Sequence, residues 1–234
     1  MSLFQRVSLL FGFACIAAFL SGVGQAQQSA ATVSFSCDFP GSNPAHYSLT
    51  VTSTGHASYT SDGKLNTAQD SDSDAPSGGE AAAGTVFTLT AATTTRIFDL
   101  AKTARYFQGT IDSKKKNIAS TGDKTLVYHD ADQSNMANYN YSLIPAVQEL
   151  TTLFQNLSSA VEFGRRLDYE YRYQKLGLDE EMKRMEDTTT LRDVGLDLAA
   201  TVPVLQKIAD DPSVINPVRA RAMRLLQHAG TNSK

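Results

Sequence analysis

The chain has 234 residues, a formal charge of −3, no tryptophan, two cysteines and four histidines. That length suffices for one or two domains, and a mildly acidic balance excludes the electrostatic footprint of a nucleic-acid binder. Cys15 falls in an apolar leader, which leaves Cys37 as the lone thiol of the remaining chain. No internal disulfide is then available, so stability has to come from a packed core.

Residues 1–26 read as a secretory signal peptide. Arg6 supplies a short basic region, Val7 to Leu20 an apolar run, and Gly24 and Ala26 the small residues of a cleavage site. The run falls short of the ~20 residues that span a bilayer. Gly12-Phe13-Ala14 before Cys15 makes a poor lipoprotein signal. The expectation is a secreted or periplasmic protein beginning near Gln27, with no membrane span after cleavage.

An α+β domain is expected over 27–142. Val33, Phe35 and Cys37 alternate with serines, and Tyr47, Leu49 and Val51 alternate with Ser48, Thr50 and Thr52; this is the period of half-buried strands. Cys37 shares the apolar face, which suits a buried structural thiol better than a nucleophile. Ser53-Thr54-Gly55 separates Tyr47–Val51 from a strand over 56–60, a hairpin signal.

Residues 64–84 are rich in Ser, Ala, Gly and Asp and lack large apolar side chains, which reads as a disordered insertion. A strand over 85–90 and a helix over 93–106 follow, with Thr90 or Thr93 as the cap. A second hairpin is expected from strands over 124–129 and 136–141.

The helical region is expected over 143–234. From Pro145, Val147, Leu150, Phe154, Leu157, Val161, Leu167, Tyr171, Leu178, Met182 and Met185 recur at 3–4 spacing. Gly164 and Gln174 fall on the same stripe, and Lys175-Leu-Gly177 is a candidate break. Asp168–Arg172 and Glu180–Arg184 are i,i+4 pairs worth about 0.3 kcal/mol each. Such a stripe must be covered, by the N-terminal sheet or by another chain. Residues 202–226 resemble one HEAT-type helix pair, with Leu205 and Ile208 on the first helix and Val218, Ala220 or Ala222, and Leu225 facing back. A lone pair cannot bury its own face, so a helical cap on the long helix is expected instead of a solenoid.

The chemical motifs are sparse. Asp70, Asp72 and Asp74 match positions 1, 3 and 5 of a calcium loop. Ala75 stands where the turn glycine belongs, Ala81 replaces the bidentate Glu, and Glu80 is one residue early. The stretch reads as a linker. His46, His56, His129 and His228 form no short ligand pair, although His56 and His129 lie in expected strands and can meet across a sheet. There is no nucleophile-elbow motif, and Ser120-Thr-Gly-Asp-Lys124 lacks the first glycine of a phosphate loop and leads into a strand. No cofactor or metal is expected. Arg165, Tyr169, Arg172 and Tyr173 share one helical face away from Leu167 and Tyr171, and these residue types dominate binding hot spots. They are the candidate binding residues.

The order Cys37, Tyr47-x-Leu-x-Val51, Gly55, Tyr59, Phe87-x-Leu89, Ile97-Phe98 and Tyr106-Phe107 resembles a family of short exported bacterial domains of unknown function. The resemblance covers about residues 33–141 and implies a β-hairpin, a helix and a further β-hairpin. The chain departs from it in the Asp/Ser/Gly insertion and in having no second cysteine near the first. No established activity comes with the family, so no catalytic residue is implied. The leading expectation is a non-enzymatic interaction module of the bacterial envelope, binding another envelope protein or itself. The alternative is a periplasmic hydrolase using His56 or His129.

Overall fold

The computed structural model describes residues 30–65, 84–115, 117–187 and 197–231. The leader and all of 66–83, with Asp70, Asp72, Asp74 and Glu80, lie outside the described residues. The fold is α+β: an antiparallel sheet packed against helix, followed by a helical region with one long helix and a helical hairpin.

The sheet has six strands: β1 (Thr32–Asp38), β2 (His46–Thr52), β3 (His56–Ser61), β4 (Thr85–Thr88), β5 (Asp123–His129) and β6 (Ser134–Tyr139). Their spatial order is β4-β3-β2-β1-β5-β6, every neighbouring pair antiparallel. The first strand is therefore central. Val33, Phe35 and Cys37 of β1 point to one face with Leu49, Val51, Tyr59 and Leu126, and all are buried. Gly55 closes the β2–β3 turn at φ 87°, a conformation that side chains with a Cβ disfavour. Strand β6 starts two residues before the expected Met136. The carboxylate of Asp130 accepts the Asp132 and Gln133 amides, each at 2.8 Å, and this tight Asx turn shortens the loop.

Helix α1 (Ala91–Thr103) is capped by Thr90, whose hydroxyl accepts the Thr93 amide. It ends short of the expected Tyr106, because Arg105, Tyr106 and Phe107 take φ of 55°, 53° and 64°. Left-handed backbone costs about 1–2 kcal/mol per residue. Against that cost, Phe107 is buried and the Tyr106 ring lies 4.4 Å from that of Tyr128.

Helix α2 (Pro145–Tyr173) opens on a proline, whose missing amide donor is not needed at that position. Its first half lies on the sheet. Phe154 stacks on Phe35 at 5.3 Å, and Val147, Leu150, Leu157 and Val161 belong to the same core. Its second half lies on α3 (Leu178–Asp187) and α4 (Val202–Asp210), and α5 (Asn216–Thr231) packs on those two. Leu167, Leu178, Met182, Leu205, Ile208, Val218, Ala222 and Leu225 form this second core. Of the two alanines expected to face back, Ala222 does so and Ala220 is exposed. The apolar stripe is thus covered by the chain itself, half by the sheet and half by the helical hairpin.

Two glycines explain local choices. A Cβ on Gly164 would lie 3.1 Å from the Thr201 methyl, so its absence lets the start of α4 approach α2. Between α2 and α3 the chain breaks at Gln174 and makes a single tight turn over Lys175–Gly177. The Asp168–Arg172 pair forms as expected, but Arg184 joins Glu181 at i,i+3 instead of Glu180. Glu181 is buried and Glu180 exposed, so the guanidinium goes to the carboxylate that has lost its water.

Phe154→Ala removes a fully buried ring from the sheet–helix core and is expected to cost about 3–5 kcal/mol in urea unfolding. Met223→Ala, at a 46% exposed position, is expected to stay within about 0.5 kcal/mol of the parent.

Candidate functional site

The C-terminal turns of α2 carry Arg165, Tyr169, Arg172 and Tyr173, and their surroundings divide them. Arg165 turns toward the sheet. Its guanidinium donates to both oxygens of Glu162, at 2.9 and 2.8 Å, and to the Ser61 hydroxyl at 3.1 Å. Glu162 also accepts the Tyr59 hydroxyl at 2.8 Å and the Ser61 hydroxyl at 2.6 Å. Both charged side chains are largely buried, so this is a satisfied polar centre that ties α2 to β3.

The other three lie at the outer end. The Tyr169 and Tyr173 rings are 5.0 Å apart at 50°. Arg172 pairs with Asp168, which Lys207 also approaches at 3.5 Å. Next to them, the break after α2 and the turn after α4 are held together by Lys175. Its ammonium donates to Asp211 and Ser213, each at 2.7 Å, and lies 4.9 Å from the Tyr171 ring centre. The hydrogen bonds from Lys175 and Ser213 hold the Asp211 carboxyl well below the usual range. On these adjoining segments Tyr173 is 69%, Leu176 90% and Ile215 61% exposed. Sequence periodicity passed over Leu176 and Ile215 because both stand off the stripe. Their signal is a large apolar residue inside a break or turn, where polar residues are the rule.

Beneath this tip lies a second buried polar centre. Glu170 and Glu181 are 1% and 0% exposed. Arg166 donates to Glu181 at 2.5 Å, and Arg184 lies 2.9 Å from its other oxygen. The Glu170 carboxyl fills the space that a Cβ on Gly177 would occupy, 3.0–3.2 Å away. One of its oxygens is buried with no hydrogen-bond partner. Burial, reinforced by the Glu181 charge and opposed by Arg184 and Arg166, pushes the Glu170 carboxyl up to about 7.

The remaining candidates are dispersed. Cys37 is buried as expected, and burial pushes its thiol up. Lys124, also buried, is held by the carbonyls of Thr121, Gly122 and Asn140 and by the Thr121 hydroxyl. Burial pushes its ammonium down, and it serves to close the loop before β5. His46 pairs with Asp38 at 2.5 Å, in the open. His56 and His129 do not meet: β2 and β1 lie between their strands, a separation of roughly 14 Å. Among the described residues no group of three or more His, Cys, Asp and Glu side chains is placed to hold a metal ion. None of the described helices is long and apolar enough to cross a membrane.

The raised Glu170 carboxyl gives the helical core a definite pH dependence. Between its ordinary value of 4.5 and about 7, the folded chain keeps a proton that the unfolded chain gives up. Stability is therefore expected to fall as pH rises through that window, and to level off above it. Glu170→Gln, which cannot ionise, is expected to flatten this slope and to exceed the parent by about 3 kcal/mol above the window. Denaturant midpoints measured across that range for both chains check it; parallel curves would refute it.

No protein-family model matches the chain, and neither a curated protein nor a solved structure matches it.

Proposed function

We infer that this chain is an exported interaction protein of the bacterial envelope, acting without catalysis and recognising another protein through the tip of its helical region. The single observation that carries the reading is the exposure of three large apolar side chains, Tyr173, Leu176 and Ile215, on segments joined by Lys175. Tyr169 and Arg172 flank them, and aromatic, apolar and guanidinium groups together are the chemistry of an interface hot spot. The covered stripe of α2 no longer supports the reading. Export is supported by the leader sequence, and the resemblance to the exported domains by the order β2–β3 hairpin, α1, β5–β6 hairpin.

The hydrolase alternative names His56 or His129; among the described residues the histidine paired with a carboxylate is instead His46, with Asp38. Among the described residues no serine or threonine hydroxyl is hydrogen-bonded to that imidazole, and the pair lies on an open surface.

Mass spectrometry of the envelope fraction is expected to find a mature chain starting at Gln27; an intact leader would refute export by cleavage. In affinity capture from the same fraction, the parent chain is expected to retain a specific protein. The Tyr173→Ala/Leu176→Asp chain, with an unchanged circular dichroism spectrum, is expected to lose at least ~90% of it, since two hot-spot side chains contribute several kcal/mol. Equal capture by both would remove the tip from the reading, and nothing captured would favour a catalytic or small-molecule role.

A further inference from the structure

Among the described residues, the helices cover one face of the sheet and nothing covers the other. The register sorts that open face into rows across the strands. One middle row runs Val86, Ser58, Thr50, Ser34, Val127 and Met136. The row beside it contains Thr60, Ser48, Ser36 and Thr125, with Asn138 at the edge. Neither row holds a charged residue. Many of these polar groups are already paired within the sheet: Ser34 with Thr50 at 2.9 Å, Ser48 with Thr60 at 2.7 Å and Thr125 with Asn138 at 2.8 Å. Covering them would strip off little tightly held water, while Val86 and Met136 stand 74% and 68% exposed at the margins. A charge-depleted centre is one feature of an interface core.

The titratable side chains lie at the two ends of this face. At one end are His56 on β3 and His129 on β5, in the row of Thr32 and Thr52. At the other are Asp62, Asp38 and Asp123, with His46 between the first two. The spacing repeats: His56 and Asp62 bracket β3, and Asp123 and His129 bracket β5, so each strand carries an imidazole at one end and a carboxylate at the other.

We propose that this open face is a self-association surface, occupied by the same face of a second copy of the chain in a two-fold, sheet-on-sheet dimer. The charge pattern selects the arrangement. Sheets that stack face to face keep their strands nearly aligned, about 10 Å apart. A two-fold axis running along the strands would set histidine end on histidine end and carboxylate end on carboxylate end. An axis running across the strands sets His56 of one copy over Asp62 of the other and His129 over Asp123, at both ends at once. Only the second is complementary. The face spans five strand spacings by about six residues, roughly 24 by 20 Å. Two copies together would bury about 1,000 Å², which a specific interface has to reach. This surface lies on the sheet and is independent of the helical tip.

Sedimentation equilibrium of the exported chain over a wide concentration range tests the proposal. The parent is expected to form a reversible dimer. His56→Asp/His129→Asp places carboxylates at both ends and is expected to weaken self-association about 100-fold or more, since like-charge contacts across an interface cost several kcal/mol. Asp62→Lys/Asp123→Lys removes the carboxylates that face His56 and His129 and is expected to weaken self-association as well. Mixing the two variants is expected to give a one-to-one pair, because each then meets its complement. All these positions are at the surface, and circular dichroism verifies that each variant is folded. A parent that stays monomeric, a dimer indifferent to the first variant, or variants that ignore each other on mixing would each overturn the proposal.

Discussion

The architecture depends on the mismatch in length between one helix and one sheet. Helix α2 has 29 residues and so extends roughly 43 Å, whereas a seven-residue strand spans only about 23 Å. A helix lying on such a sheet has to overhang it. Because the 3–4 spacing of apolar residues continues from Val147 through Leu167, the overhanging half is as apolar as the covered half, and exposing it would be unfavourable. The helical hairpin of α4 and α5, with α3 folded back beside it, exists to cover that overhang. One helix therefore belongs to two cores, and neither core is complete without it.

Buried polar groups mark the places where these elements join. Glu162 meets Tyr59, Ser61 and Arg165 where α2 leaves the sheet. Asp197 accepts the Thr90 amide at 2.9 Å, tying the segment before α4 to the N-terminus of α1. Glu170 and Glu181 lie where α2 breaks into α3. Removing such groups from water costs several kcal/mol each, and hydrogen bonds of fixed geometry offset that cost only in one arrangement of the elements. Apolar contacts tolerate small slides; these contacts do not. At the Glu170 centre a buried carboxylate oxygen has no hydrogen-bond partner, and its carboxyl is pushed upward by burial.

The covered stripe leaves α2 with no apolar face to offer another chain. An amphipathic helix with no cover would present its apolar face to another chain, but here that face is spent inside the molecule. Two exposed regions stand out among the described residues. At the helical tip, isolated large apolar side chains stand on backbone held by Lys175, Asp211 and Ser213. On the sheet, an array of small hydroxyl side chains is framed by imidazoles at one end and mainly by carboxylates at the other. The first suits a partner that inserts into or grips a knob. The second suits a surface of the same shape.

The sequence by itself determined the local elements. Period-two alternation placed β1 and β2, turn signals marked the hairpins, the 3–4 stripe placed α2 and α3, Thr90 was one of two candidate caps for α1, and the Lys175–Gly177 segment marked the break, because these signals reside in residues adjacent along the chain. It also placed Cys37 in the core and the α4–α5 pair as a cap. Tertiary structure decided the rest. The central position of β1, paired with β5 nearly a hundred residues later, depends on which apolar faces meet, and no local pattern encodes that. The left-handed turn at Arg105–Phe107 contradicts local preference and persists because Phe107 is buried. Arg165 was legible as part of a basic and aromatic helix face, but its commitment to Glu162 required knowing that Tyr59 and Ser61 lie alongside. Leu176 and Ile215 became visible only when a break and a turn, far apart in sequence, were brought together by one lysine. The separation of His56 from His129 followed from strand order. Residue spacing dictates periodicity and capping because those are short-range sterics and hydrogen bonding. Which charge is buried, which face is covered and which residue is left outside are long-range outcomes of packing.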